Sequence, residues 1–395
     1  MYPFKQSALA EAAALRPIVA QVMAIADTTY GGAESSYAIR FRGQLIRDSR
    51  EAYALVAEQF RPLGYTPLFR KDGQDHLVLA VAGVIAPAPN QPWMNALLLA
   101  LTIVSMLLTG GAYGYAGPAP QSVGEWLALM ARGWPFLFSM LGILLAHELG
   151  HYFAARYHKV AVTPPYFIPF PLSLFGTLGA FIQLKAPPTN RRVLLDIGLA
   201  GPLAGFVVAV PVLLLGLWRS QPLQPVPLDQ ISGFEGNSIL YVLLKFVVYG
   251  RWLPEPASFG DMPAWLYMLR FYTLGFPAPA GGTDVFLDQV AWAGWAGLLV
   301  TGLNLIPAGQ LDGGHALYVL IGRHARRLVP VIIAVLVGLG FFWNGWWIWA
   351  GLILLVGRTH AEPLDQITEL DPVRRLLAIG ALVLFVLVIT PIPFL

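Results

Sequence analysis

Long apolar runs constrain the fold of this chain more than any other feature of its sequence. Residues 95–115 form a charge-free apolar stretch, close to the ~20 residues that a membrane-spanning helix needs. Of the 395 residues, 56% are hydrophobic and only 12% are charged, whereas soluble domains carry about a quarter charged residues. We therefore predict a polytopic α-helical membrane protein.

Further apolar runs and their charged ends predict the topology. Basic residues cluster beside the runs, as at Arg156 and Lys159, at Arg191 and Arg192, and at Arg323. The positive-inside rule places such ends in the cytoplasm, and together the runs give about seven spans. The remaining runs cover residues 134–155, 193–218, 290–306, 328–342, 346–356 and 376–392.

Two apolar segments are unsuited to a regular span, and we predict re-entrant elements there. Residues 163–185 are broken by prolines and glycines, and irregular backbone at membrane depth persists only where protein or a wet cavity covers it. We expect a re-entrant loop or hairpin, with residues 176–182 as an edge to which another strand can be added; a packed surface loop is the alternative. The apolar island 239–249 is short for a span, and we place it as an interfacial or re-entrant helix on the outer side.

Residues 1–88 are predicted to form a small soluble α+β domain on the cytoplasmic side. Residues 89–94 then serve as a stiff linker, and residues 95–395 form the membrane-embedded domain with its core at 134–325. The domain either recruits and regulates substrates or merely stabilises the chain. Its predicted elements are a helix over 8–26, a strand over 37–42, a helix capped by Asp48 through Phe60, and a hairpin of 65–70 with 76–82.

The run 134–155 contains His147, Glu148 and His151 in the order His-Glu-x-x-His. On a helix, histidines four residues apart lie on one face, so both imidazoles reach a single Zn²⁺ while Glu148 lies beside the open coordination position. Two histidines on a packed helix face are the ordinary alternative. Ionisable residues are costly inside a membrane, however, and a metal ion gives all three side chains a partner.

A catalytic zinc site usually has three protein ligands, so a third ligand is expected elsewhere in the chain. The chain contains no cysteine, which leaves histidine and carboxylate as ligands. Asp312 follows a break at Pro307 in a second apolar segment, and such broken helices hold the polar sites of membrane proteins. We predict Asp312 as the ligand, with His315 as the alternative.

Three motifs follow one another along the chain, namely His147-Glu148-Leu149-Gly150-His151, residues 198–205 (GLAGPLAG) and residues 304–315 (NLIPAGQLDGGH). In this order they resemble the motifs of the site-2 protease family of intramembrane metalloproteases, in particular of its cyanobacterial and plastid branch. The resemblance implies that His147, His151 and Asp312 bind zinc, that Glu148 is the catalytic base and that Asn304 helps to position or stabilise the substrate carbonyl.

The predicted function is that of an intramembrane zinc endopeptidase, which cleaves single-span membrane proteins within or at the edge of the bilayer. A catalytically silent metal-binding scaffold is the alternative, and a metal transporter would need polar residues along a path rather than one closed set. The formal charge of +3 gives no indication of nucleic-acid binding, and the sequence does not indicate an oligomeric state. With no cleaved targeting segment visible, a bacterial plasma membrane is the expected location.

Overall fold

A computed structural model describes residues 3–32, 35–86, 89–221, 224–225, 235–276, 281–356 and 362–394. The predicted domain boundary at residue 88 lies outside the described residues. The N-terminal part of the chain contains α1 (Pro3–Ala20), β1 (Met23–Tyr30), β2 (Ile39–Leu45), α2 (Ser49–Phe60), β3 (Tyr65–Asp72) and β4 (Asp75–Ala82). The elements that follow are α3 (Pro92–Ala112), α4 (Val123–Arg132), α5 (Trp134–Tyr157), β5 (Tyr166–Pro169), β6 (Thr177–Phe181), α6 (Arg191–Arg219), β7 (Gln224–Pro225), α7 (Ile239–Tyr249), α8 (Ala264–Leu274), β8 (Thr283–Asp284), α9 (Gln289–Asn304), α10 (Asp312–Ile321), α11 (Ala325–Leu339), α12 (Gly345–Val356) and α13 (Pro372–Val388).

The N-terminal part is a four-stranded antiparallel sheet with strand order β1-β2-β4-β3. Alternate residues of the strands, such as Phe41, Phe69 and Val78, are fully buried and pack with residues of α1 and α2. Asp48 caps α2 as predicted, since its carboxylate accepts a hydrogen bond from the backbone N–H of Arg50 at 2.9 Å. The predicted hairpin of β3 and β4 is also present.

The predicted helix over residues 8–26 was wrong at its C-terminal end. The helix α1 ends at Ala20, and β1 begins at Met23. An apolar run of this length fits a strand as well as a helix. Tertiary contacts decide between the two, because Met23 is 2% exposed in the core and β1 pairs with β2 along its length.

The central helices α5, α6 and α9 pack against one another and bury most of the large apolar cluster. Among the described residues, three helices are long and apolar enough to cross a membrane, namely α3, α5 and α6. The helices α9, α11, α12 and α13 contain 16, 15, 12 and 17 residues. A membrane protein is therefore supported, whereas the count of about seven spans stays a prediction.

The predicted hairpin in residues 163–185 consists of β5 and β6, which pair antiparallel. It packs along α3, whose side chains provide partners for its irregular backbone. The Asn95 amide donates to the carbonyls of Pro164 and Pro165, both at 2.9 Å, and the Ser105 hydroxyl donates to the carbonyl of Gly176 at 2.6 Å. The irregular backbone at Pro164, Pro165 and Gly176 therefore has protein partners, as the physical constraint requires.

Two further helices, α4 and α8, lie between the predicted apolar runs. The helix α4 begins at a capping box: Ser122 accepts a hydrogen bond from the N–H of Glu125, and the Glu125 carboxylate accepts one from Gln121. The spacing of Ser122 and Glu125 is the sequence signal that would have predicted it. The other helix is α8, and the apolar island 239–249 is the helix α7.

Candidate metal centre

The helix α5 positions the first three residues of the predicted site. His147, Glu148 and His151 are 5%, 4% and 7% exposed. The α-helical spacing of four residues brings the two imidazoles together, with 3.2 Å between their Nε2 atoms. Three ionisable groups are thus buried within two turns of an otherwise apolar helix.

Asp312 joins the two histidines from the first residue of α10. The chain breaks after α9, and the start of α10 packs closely against residues 305–309, which join the two helices. Gly313 permits this approach, because a Cβ atom there would lie 1.9 Å from the carbonyl oxygen of Leu305. A Cβ atom at Gly314 would lie 2.5 Å from the carbonyl oxygen of Gly309. The two glycines after Asp312 therefore set the position of its carboxylate.

The three side chains have the spacing of a metal-binding set. The Asp312 Oδ2 atom lies 3.4 Å from His151 Nε2 and 3.6 Å from His147 Nε2. A tetrahedral zinc ion with bonds of ~2.0–2.1 Å holds its ligand atoms about 3.3 Å apart, so the set fits zinc. Among the described residues, these three are the one group of three or more potential ligands of this kind. The alternative ligand, His315, lines the same cavity but is not in this group.

Three glycines on one face of α6 accommodate the histidines. A Cβ atom at Gly201 would lie 2.0 Å from His151 Nε2, and one at Gly205 would lie 3.1 Å from the His147 Cβ. A Cβ atom at Gly198 would lie 3.1 Å from the His315 Cβ. In the sequence, these glycines stand out only as part of the motif at residues 198–205. The structure shows that they leave room for imidazole rings.

Hydrogen bonds outside the cluster orient its residues and their helices. His151 Nδ1 lies 2.7 Å from the carbonyl oxygen of Ile197, so this nitrogen donates and Nε2 faces the cluster. Such a bond fixes the tautomer and the ring orientation of a metal-binding histidine. At the end of α5, His158 Nε2 lies 2.9 Å from Asp196, which Arg374 of α13 also contacts at 2.6 Å. The sequence pattern alone gave no signal for either partner.

A cavity of about 710 Å³ contains the cluster. Residues 180–188, which continue from β6, form one wall of this cavity, and Glu148 of α5 also lines it. Asn304, at the end of α9, places its amide nitrogen 3.4 Å from His147 Nε2. The five predicted site residues therefore all line one cavity, which is large enough for a peptide segment. They are His147, Glu148, His151, Asn304 and Asp312.

The fold and the cluster define a membrane-embedded protein with a zinc-compatible histidine and carboxylate set. Residues 135–343 match the sequence model of Peptidase family M50, and they make up more than half of the chain. The chain belongs to Peptidase family M50, the site-2 protease family, so the resemblance seen in its motifs is confirmed.

Curated relatives agree with this assignment. The "Probable zinc metalloprotease EGY1, chloroplastic" of Arabidopsis thaliana is 33% identical over 263 residues, which cover 65% of this chain and 43% of that protein. The EGY1 protein of Oryza sativa subsp. japonica is 29% identical over 330 residues, or 78% of this chain and 52% of that protein. The EGY2 protein of Arabidopsis thaliana is 33% identical over 273 residues, or 68% and 43%.

The chain thus spans about half the length of these relatives. Their names agree with the predicted zinc cofactor and with the plastid branch of the family. Those names describe the relatives as chloroplastic, so they do not support the location in a bacterial plasma membrane that we expected from the sequence. No solved structure matches the chain.

Proposed function

We propose that this protein is an intramembrane zinc endopeptidase that hydrolyses peptide bonds of single-span membrane proteins. One observation carries the proposal: a buried set with the spacing of zinc ligands lies in a peptide-sized cavity beside Glu148 and Asn304. His147, His151 and Asp312 would hold the zinc ion, because three protein ligands are typical of a catalytic zinc site. The relatives named as zinc metalloproteases support the same chemistry.

The residues of the cavity divide the chemistry between them. The zinc ion supplies Lewis acidity, which makes water nucleophilic at neutral pH. Glu148 takes the proton from the attacking water and passes it to the leaving amine, as a general base and then a general acid. Asn304 donates a hydrogen bond to the oxygen of the scissile carbonyl as negative charge develops on it.

The substrate binds as an added strand beside β6. In the described part of the chain β6 pairs only with β5, so its second edge is open, and Leu178 and Phe181 are 64% and 48% exposed. A membrane helix hides its peptide bonds in internal hydrogen bonds, and these must break before hydrolysis. Pairing with β6 replaces them and leads the peptide toward residues 180–188 of the cavity wall.

The sidedness follows from the basic residues at the helix ends. Arg156 lies at the C-terminal end of α5, and Arg191 and Arg192 lie at the N-terminal end of α6. Gly201 lies against His151 and Gly205 against His147, so the two helices run antiparallel and these ends lie on the same side. The positive-inside rule assigns that side to the cytoplasm. We therefore place the N-terminal part of the chain, residues 1–88, on the cytoplasmic side and the substrate in the bilayer.

Removal of the metal tests the proposed activity. Purified protein in proteoliposomes is expected to bind a single zinc ion and to cleave a single-span substrate. A zinc chelator is expected to stop cleavage because the Lewis acid is lost, and added Zn²⁺ restores it where Mg²⁺ does not. Cleavage that persists after the zinc has been removed contradicts the proposal. A protein that binds zinc but cuts no membrane substrate is the silent scaffold instead.

Substitution of Asn304 tests the role of its amide. Asn304→Ala is expected to lower kcat by about 10²–10³-fold, because one donor to the oxyanion is lost. The zinc content, measured by atomic absorption, is expected to stay at the wild-type value. Asn344→Ala in an exposed loop is the matched control and is expected to leave kcat unchanged. An Asn304→Ala variant with wild-type kcat would remove this residue from the mechanism.

A further inference from the structure

Residues 362–368, which we name the strap, connect the N-terminal sheet to the wall of the zinc cavity. On one side, the N–H of Phe69 in β3 donates to the carbonyl of Leu364 at 2.9 Å, and the N–H of Gln366 donates to the carbonyl of Phe69 at 3.1 Å. The strap therefore adds a short parallel strand to the outer edge of the sheet. This covers an edge that otherwise exposes unpaired backbone groups.

The opposite edge of the strap pairs with the segment that leads from the cavity into α6. The N–H of Leu364 donates to the carbonyl of Pro188 at 3.1 Å, and the N–H of Asp365 donates to that of Thr189 at 2.7 Å. Pro188 lines the zinc cavity, and so does Glu362 at the start of the strap. Backbone hydrogen bonds thus run without interruption from the N-terminal sheet, through the strap, to the rim of the cavity at residues 186–190.

Asp365 fixes the strap in this position. Its side chain is fully buried, and its carboxylate accepts hydrogen bonds from the hydroxyl of Ser49 at 2.9 Å and from the N–H of Ile367 at 2.8 Å. It also accepts one from the hydroxyl of Thr368. From β3, the Arg70 guanidinium donates to the carbonyl of Leu364 at 2.8 Å. Buried polar groups that are fully bonded in this way specify a single arrangement.

We propose that the N-terminal sheet controls the zinc cavity through the strap, with Asp365 and Arg70 as positioning residues. When β3 holds the strap, the strap holds the rim, and the cavity keeps the shape that admits a peptide. When β3 releases the strap, the rim loses its pairing partner and moves. The coupling between the N-terminal sheet and the rim is inferred from these contacts alone. Its effect on substrate entry rests on the proposed function.

The coupling is measurable as a distance between two spin labels. The chain has no cysteine, so Glu58→Cys on α2 and Pro187→Cys on the rim, both exposed, introduce the labelling sites. We expect one narrow distance distribution in this protein. Adding Arg70→Ala or Asp365→Asn is expected to broaden it, whereas Arg47→Ala, an exposed arginine of the same domain, leaves it narrow. A distribution that stays narrow in both strap variants overturns the coupling, whether or not the protein cleaves anything.

Cleavage kinetics then test the effect on substrate. In the unlabelled protein, Arg70→Ala is expected to raise KM about tenfold, since the loss of hydrogen bonds to a charged group is worth roughly that factor. The kcat and the zinc content stay at wild-type values, because the strap does not contact Glu148 or the ligands. A broadened distance distribution with an unchanged KM overturns control of substrate entry. A wild-type protein that cuts no substrate contradicts the proposed function and leaves the distance measurement valid.

Discussion

Glu148→Gln is expected to lower cleavage of a single-span substrate by about 10²–10⁴-fold, the contribution typical of general acid–base catalysis. Glutamine has nearly the same size and shape as glutamate, but it cannot take a proton from water. Glu148 is not one of the three clustered ligand residues, so zinc is expected to bind to this variant with unchanged stoichiometry. Single-turnover cleavage in proteoliposomes, with zinc measured in the same sample, checks both expectations.

Glu58→Gln is the matched control, because it makes the same chemical change at an exposed position of α2. Its cleavage rate is expected to equal that of the wild type. If Glu148→Gln kept the wild-type rate with its zinc in place, another group would act as the base. If the variant lost its zinc as well, Glu148 would have a structural role that the proposed mechanism does not include.

Gly201→Ala is expected to lower zinc affinity by at least about 100-fold, the upper end of the effect seen when a group that orients a ligand is changed. The new methyl group would lie 2.0 Å from Nε2 of His151, the nitrogen that faces Asp312. Since α5 and α6 pack tightly, the imidazole must rotate away from the cluster. Competition with a fluorescent zinc chelator measures the affinity, and cleavage is expected to fall with it.

Gly142→Ala provides the control for this substitution. Gly142 lies on α5, and a Cβ atom there would have nothing within 4 Å. Alanine is also the better helix former, so this variant is expected to fold and to bind zinc as the wild type does. A Gly201→Ala variant with wild-type affinity would mean that α6 can move away from α5 without cost.

The arrangement of the His-Glu-x-x-His residues was predictable because its geometry is local. His147, Glu148 and His151 lie within two helical turns, and a helix fixes their relative positions without any help from the rest of the fold. The capping of α2 by Asp48 and the turn between β3 and β4 were predictable for the same reason. Local patterns failed at residues 21–26, where the apolar run fits both a helix and a strand and pairing with β2 decided the outcome.

The sequence patterns did not predict contacts between segments that are distant in the chain. The glycines at 198, 201 and 205 belong to one sequence motif, but nothing in their spacing identified histidine rings as the groups they accommodate. Asp365 lies in a polar stretch and has no motif. Its importance follows from its burial and from its contact with Ser49, which is 316 positions away in sequence.

By itself, the sequence determined a membrane protein with a helix whose histidine spacing fits a metal ion, because apolar runs and a four-residue histidine spacing have direct physical consequences. Only the tertiary structure decided that Asp312 lies with the two histidines, that α6 leaves room for their rings, and that the N-terminal sheet reaches the zinc cavity through the strap. These three features depend on packing between segments that are far apart in the chain. The fit of one packed surface to another sets the distances between their side chains, and no local sequence periodicity predicts those distances.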